Sequence, residues 1–236
     1  MRRCIRPADN GRPMNQTGLL IALAVAVVAG LAFGLYPQLD LALVSPFYDP
    51  ATGWVAGGHG WVLVRNTASW LMALVAAPAA IALFGKFVRP HKTPLMPPRH
   101  ALLMLLTLVL GPGLLANTIL KDNWGRPRPI EVTEFGGPFK FLPWWDPRGP
   151  CPKNCSFIAG EPSGAFWTLA PAALTPPHWR ALAYGAALAF GAAIGLLRAA
   201  GGGHFFSDVV FAGVFMFLLI WIMHGLLLRW RADDKP

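Results

Sequence analysis

Charge is what this chain has least of. Only 13% of its 236 residues are Asp, Glu, Lys or Arg, against ~25% in a usual soluble domain. Acidic groups are the scarcer kind, eleven against twenty basic ones. With 55% hydrophobic residues and a mean hydropathy of +0.47, the chain has too little polar surface for water on all sides. Lipid is therefore the solvent for much of it. Cysteine is also scarce: Cys4 stands alone, and Cys151 and Cys155 share one polar loop. No further Cys or His accompanies that pair at ligand spacing, which speaks against a zinc site. A disulfide closing a small loop is the better reading if the loop faces an oxidising compartment; two reduced thiols are the alternative. Internal repeats and long polar linkers are missing too, and the length fits one domain. A net charge of +9 raises the question of nucleic acid. No basic stripe with interleaved aromatics is present, so no nucleic-acid partner is expected.

What is there is apolar sequence in six stretches, at about 17–36, 66–88, 100–120, 163–176, 180–199 and 207–228. Most approach the ~20 residues a helix needs to cross ~30 Å of hydrocarbon. Backbone polar groups in lipid must bond within their own segment, so these are helices and the fold class is all-α. The fourth stretch is short, carries Pro171, and has an uncertain start. Small residues crowd the fifth, from Ala181 through Gly185 and Gly191 to Gly195, which suits close helix contact.

Lys and Arg set the orientation. Arg2, Arg3, Arg6 and Arg12 precede the first stretch, and Lys86, Arg89, Lys92 and Arg99 lie between the second and third. Arg180 joins the fourth to the fifth, and Arg229, Arg231 and Lys235 follow the sixth. With six spans these segments and both termini fall on one side, the cytoplasmic one. The loop 121–162 breaks the rule by being basic on the opposite side. Positive charge kept there against the rule is expected to serve chemistry. Its Trp124, Trp144 and Trp145 read as interface anchors.

Three segments meet at that outer face. Lys121 and Arg128-Pro129 stand six residues apart; Ser156-Phe157 leads into Gly160-Glu161; Arg198 precedes His204 and Asp208. Phosphoryl transfer needs fixed cations and backbone N–H donors around the phosphate. Lys121, Arg128 and Arg198 are placed to supply the cations, and the turn at Gly160 the donors. His204 and Asp208, at i and i+4, would share a helix face, so that the carboxylate fixes the imidazole and leaves one ring nitrogen free to attack phosphorus. Asn117, one turn before Lys121, is placed to support it, and Asp122 with Arg126 reads as a local ion pair.

These segments resemble the three motifs of the phosphatidic acid phosphatase type 2 superfamily: Lys-x6-Arg-Pro, Pro-Ser-Gly-His and Ser-Arg-x5-His-x3-Asp. The resemblance implies an integral membrane bundle of six transmembrane helices, of the kind shared with haloperoxidases, forming one domain over 1–236. It implies phosphate binding by Lys121, Arg128, Arg198 and Gly160, a phosphohistidine on His204 oriented by Asp208, and no metal or other cofactor. Two departures stand out. Leu197 replaces the usual Ser, and the middle motif can be aligned in two ways. Pro162-Ser163-Gly164-Ala165 keeps the letters but puts Ala at the general-acid position. Ile158-Ala159-Gly160-Glu161, the preferred alignment, loses the serine hydroxyl but places Glu161 there, as in a bacterial branch reading Ser-Phe-x-Ser-Gly-Glu.

The implied function is a lipid phosphatase of a bacterial inner membrane, with its site facing the periplasm. Its substrate partner would be a phospholipid or glycolipid phosphate: lipid A, polyprenyl pyrophosphate, phosphatidylglycerophosphate or phosphatidic acid. The alternative is a weakened member that binds or moves phospholipid without hydrolysis. A transporter lacks the paired broken spans it would need.

Overall fold

The computed structural model describes residues 15–229. The basic and cysteine positions read in 1–14, and Arg231 and Lys235, lie outside them. Helix α1 (Gln16–Leu35) opens on Asn15, whose Oδ1 accepts the Gly18 N–H at 2.7 Å. A short helix α2 (Gln38–Val44) and the two-residue strands β1 (Tyr48–Asp49) and β2 (Gly53–Trp54), antiparallel, lead to α3 (His59–Val88). Helix α4 (Pro98–Leu108) runs into a π-helical stretch, Val109–Leu120, and the single turn α5 (Lys121–Asn123). Pro112 inside this stretch has no N–H to give the helix ladder. The wider turns are back-bonded by side chains: Asn117 Nδ2 donates to the Pro112 carbonyl and Thr118 Oγ1 to that of Gly113.

A long coil follows, then α6 (Gly160–Phe166), α7 (Leu169–Leu174), α8 (Pro177–Ala200) and α9 (Phe206–His224), which ends in a π-helical turn, Gly225–Arg229. Among the described residues five helices are long and apolar enough to cross a membrane. They correspond to the first, second, third, fifth and sixth apolar stretches. The fourth departs from expectation. It is broken into α6 and α7, which together rise only about 20 Å at ~1.5 Å per residue.

The break falls where Pro171 has no N–H to give the Trp167 carbonyl, which takes the Ala170 N–H instead, and the two pieces are enclosed by the bundle. Side chains of α6 are almost all enclosed, and Trp167 after it is fully buried. Its indole Nε1 donates to the Met104 carbonyl and is 3.1 Å from Thr107 Oγ1. This pair of short helices is therefore the core around which α3, α4, α8 and α9 pack, rather than a lipid-facing span. The outer helices turn large apolar side chains outward, as Trp70 (75% exposed) and Phe87 (86%) show. Outside apolar and inside small is what a bundle in lipid requires. Gly191 of α8 illustrates the small side: a Cβ there would sit 2.2 Å from the Phe166 ring.

Helix α3 begins earlier than the apolar stretch suggests, so Arg65 lies on it. Of the three tryptophans read as anchors, Trp145 is exposed, whereas Trp124 and Trp144 pack on Phe157, and Trp144 also on Phe211. The indole of Trp124 donates to the Trp144 carbonyl, so these two rings fix the coil to the bundle.

Candidate active site

The three sequence segments are stitched together by main chain at one end of the bundle. The Cys155 N–H donates to the Lys121 carbonyl, the Ser156 N–H to that of Arg126, and the Ile130 N–H to that of Gly202. These bonds hold the coil after α5, the approach to α6 and the α8–α9 turn against one another.

His204 is not on a helix. It stands in the turn before α9, whose N-cap is Phe205, so the helical i, i+4 pairing with Asp208 does not form. Its Nδ1 instead donates to the Ser156 carbonyl at 2.8 Å, and the Asp208 carboxylate lies behind at 3.9 Å. A carbonyl can only accept, so Nδ1 carries the hydrogen and Nε2 keeps its lone pair. Nε2 is buried and has no hydrogen-bond partner among the described residues. Burial, then the charges of Lys121, Arg198 and Arg128, push the imidazole well below its ordinary value near 6.5, opposed in part by the bond to Ser156. The ring is thus neutral at neutral pH.

Behind it lies an ion network that the sequence reading missed. Asp208, third residue of α9, accepts the Phe205 N–H at 2.9 Å and the Ser156 hydroxyl at 2.5 Å. Its other oxygen meets Arg126 Nη1 at 2.5 Å. Arg126 Nη2 reaches Asp40 of α2 at 2.7 Å, and Nε donates to the Leu142 carbonyl. Asp40 also accepts both the N–H and the hydroxyl of Ser207. The guanidinium carbon stands 4.4 Å from the centroid of the Phe205 ring. Arg126 and Asp208 are completely buried and Asp40 nearly so. Arg126 is therefore not the partner of Asp122, which instead accepts the Asn154 N–H at 3.2 Å and lies 3.9 Å from Lys153. One signal was available: an Asp between leucines, in Gln-Leu-Asp-Leu, is costly near a membrane unless it is paired.

In front of the imidazole the cations are more open. Arg198, near the end of α8, lies along the main chain of Gly203, where a Cβ would come within 2.5 Å of the guanidinium. Its Nε is 3.1 Å from Glu161 Oε2, an ion pair without the alignment of a hydrogen bond. Arg65, which sequence reasoning passed over, approaches the other oxygen of Glu161 at 3.7 Å. Gly160 opens α6 against the π-helical stretch; a Cβ there would lie 2.3 Å from Asn117 Oδ1 and 3.0 Å from Lys121 Nζ. Only glycine permits that approach. Asn117 bonds the Pro112 carbonyl rather than Lys121, whose ammonium donates to Asn154 Oδ1 at 3.3 Å. Arg128 bonds the Asn154 carbonyl through Nε (3.0 Å) and Nη2 (2.6 Å), while Glu131 holds its main-chain N–H.

Of the two alignments of the middle motif, the one ending in Gly160-Glu161 places its residues among the cations. Ser163 donates to the Ala159 carbonyl inside α6, and Ala165 packs with Ala68 and Ile194. A cleft of about 470 Å³ runs from Lys121 and Glu161 to Ser69, Met72, Leu108 and Pro112, so a charged head continues into an apolar trough between α3 and the π-helical stretch. Cys151 and Cys155 are joined as a disulfide.

A neutral imidazole with a free nitrogen, faced by lysine and arginine at one end of a lipid-adapted helical bundle, is the equipment of a membrane hydrolase acting on phosphate esters. Residues 100–232 match the model of the PAP2 superfamily, and the chain belongs to that superfamily as a membrane lipid phosphatase. It is 34% identical over 221 residues to the lipid A 4'-phosphatase of Francisella tularensis subsp. novicida (strain U112), covering 92% of this chain and 98% of that protein. A lipid A 4'-phosphatase of Rhizobium leguminosarum is 38% identical over 104 residues, which are 44% of this chain and 45% of that one. Its counterpart in Rhizobium etli (strain ATCC 51251) is 37% identical over 102 residues, 43% and 40% of the two chains. No solved structure matches the chain. With relatives of this kind the expectation of a lipid binder without hydrolysis gives way to that of a hydrolase.

Proposed function

We propose that this protein removes a phosphate monoester from a lipid A-type glycolipid, at the 4'-position, through a phosphohistidine on His204. The observation that carries the reading is the imidazole itself, tied at Nδ1 to the Ser156 carbonyl and left with an unpartnered, buried Nε2. The near full-length likeness to a lipid A 4'-phosphatase supports the substrate.

In this mechanism the phosphate sits among Lys121, Arg128 and Arg198, with the Gly160 N–H as a further donor. The cations offset charge on the non-bridging oxygens, and arginine's planar fork can take two of them. Nε2 forms a bond to phosphorus as the bond from phosphorus to the sugar oxygen breaks. Asp208 and the Ser156 carbonyl stabilise the imidazolium character that develops. Glu161, protonated, gives its proton to the departing sugar oxygen, and as a carboxylate then takes one from the water that attacks the phosphohistidine. Inorganic phosphate leaves, and the imidazole returns to its starting state. Glu161 can serve as the acid only after phosphate takes its place beside Arg198, since it is ion-paired there in the free protein. The apolar trough would seat the acyl region beside the headgroup.

Charge neutralisation rests on side chains in this scheme, so turnover should survive a chelator. The chain would span a bacterial inner membrane as one unit, with its termini cytoplasmic and the site periplasmic. The distribution of Lys and Arg between the helices supports this topology. The test is release of phosphate from purified lipid A by the protein in detergent, with His204→Ala as control. The same panel should contain 1-phosphorylated lipid A, a polyprenyl pyrophosphate and phosphatidylglycerophosphate. Preference for any of those over the 4'-phosphate would reassign the substrate.

A further inference from the structure

Lys121 and Arg128 carry like charges, and the site needs their heads near one another. What stands between them is Asn154. Its Oδ1 accepts from Lys121 Nζ at 3.3 Å and from Arg128 Nη2 at 2.6 Å, and its carbonyl accepts from Arg128 Nε and Nη2. One residue thus binds both cations and takes the Nε edge of the guanidinium, and among the described residues Nη1 has no hydrogen-bond partner and can meet an incoming anion.

Asn154 is itself held from several directions. Its N–H donates to Asp122, and its φ of +55° is a left-handed conformation that Asn tolerates and Gly adopts freely. The disulfide closes the loop around it, and both cysteines are pinned to the motif they overlie: the Cys151 N–H to the Gly125 carbonyl and the Cys155 N–H to the Lys121 carbonyl. The loop straddles the segment from Lys121 to Arg128 and presents Asn154 to both ends of it.

We propose that Asn154, presented by the Cys151–Cys155 loop, is a positioning residue that fixes Lys121 and Arg128 for phosphate, and that phosphate affinity therefore depends on the oxidation state of this loop. The proposal rests on the phosphate-site reading above. A dithiol that reduces the bridge supplies two electrons and two protons, becomes a disulfide itself and leaves two thiols. The loop is then held by its main-chain bonds and by its contacts to Asp122 and the two cations, without the covalent closure, and Asn154 fixes Lys121 and Arg128 less firmly. The effect falls first on binding, because the side chain of Asn154 meets Lys121 and Arg128, whereas the loop reaches His204 only through the main chain of Ser156, which its own bond to the Arg126 carbonyl also holds.

The test uses the full chain in detergent, with 4'-phosphorylated lipid A as substrate and inorganic phosphate as competitive inhibitor. Asn154→Gly keeps the backbone conformation and removes the side-chain oxygen. It should raise KM and the phosphate Ki by about tenfold, the scale of hydrogen bonds to charged groups, with kcat within about twofold. Dithiol on the wild type should raise both constants in the same direction without any change of sequence. The double variant Cys151→Ser/Cys155→Ser should behave like the reduced protein and ignore dithiol. The proposal is overturned if Asn154→Gly leaves both constants unchanged, lowers them, or changes kcat alone, or if dithiol acts equally on the double variant. Turnover by His204→Ala, or an unchanged Ki in Arg128→Met, would instead sink the phosphate-site reading underneath.

Discussion

Two arginines two residues apart divide this site. Arg126 points inward to a dry network with Asp40, Asp208, Ser207 and the ring of Phe205, while the half-buried Arg128 turns to Asn154 of the outer loop. In the proposed mechanism the inner set holds the nucleophile in one orientation, and the outer set exchanges partners when a phosphate arrives. The lesson is that adjacent, chemically identical side chains can serve architecture and binding separately, with burial deciding which. An enclosed guanidinium cannot trade its carboxylates for substrate. A half-open one can.

Mutations at the two sets should therefore fail in different ways. His204→Ala, at their junction, should have the largest effect, a loss of about 10⁴-fold or more in kcat, as when other enzymes lose a nucleophile. Its melting temperature in detergent should stay close to the wild type's. Arg126→Met would leave two buried carboxylates facing each other and should cost about 3–5 kcal/mol of stability, read as a lower melting temperature. Arg128→Met should leave the melting temperature nearly unchanged and raise KM. If the two arginines gave the same pattern, the division between inner and outer sets would be wrong.

Within the outer set, Glu161→Gln should lower kcat by about 10²-fold for a sugar phosphate and less for an anhydride, whose leaving group needs less help. An equal loss on both would remove the acid role. Arg198→Lys should cost about tenfold to a hundredfold in kcat/KM, because a point charge does not replace a planar fork. The smallest effect concerns pH. The His204 imidazole is depressed in the folded protein, so above about 6.5 it is neutral in both folded and unfolded chains and contributes no pH dependence. Below that the unfolded chain takes up the proton first, and stability falls as pH drops from about 6.5 toward the folded value. His204→Ala should flatten that acid decline, which thermal unfolding at several pH values would show.

Much of this was legible in the sequence, and the losses are instructive. Long apolar stretches gave five helices nearly in place, because lipid forces any such stretch to satisfy its own backbone. The fourth is a short helical run interrupted at Trp167 and Thr168, and hydropathy does not distinguish a helix enclosed by its neighbours from one facing lipid. Spacing put Lys121, Arg128, Arg198, Glu161 and His204 in one neighbourhood, yet misjudged how His204 is held. Counting i, i+4 assumes a helix, and α9 starts two residues too late for that. Asp40 and Asn154 went unseen, and Arg126 and Ser156 were given other roles, for one reason: each acts through contacts 26 to 86 residues away along the chain. Within Arg-Pro-Arg-Pro the letters are symmetric, and only the fold shows which arginine goes inside.

The central claim is that Nε2 of His204 forms a bond to phosphorus. Mixing the protein with ³²P-labelled 4'-phosphorylated lipid A, quenching within one turnover in alkali and mapping the labelled peptide tests it most directly. The account predicts an alkali-stable, acid-labile label on His204, absent from His204→Ala. Label on another residue, or rapid turnover by the wild type with no phosphoenzyme at any time, would contradict it.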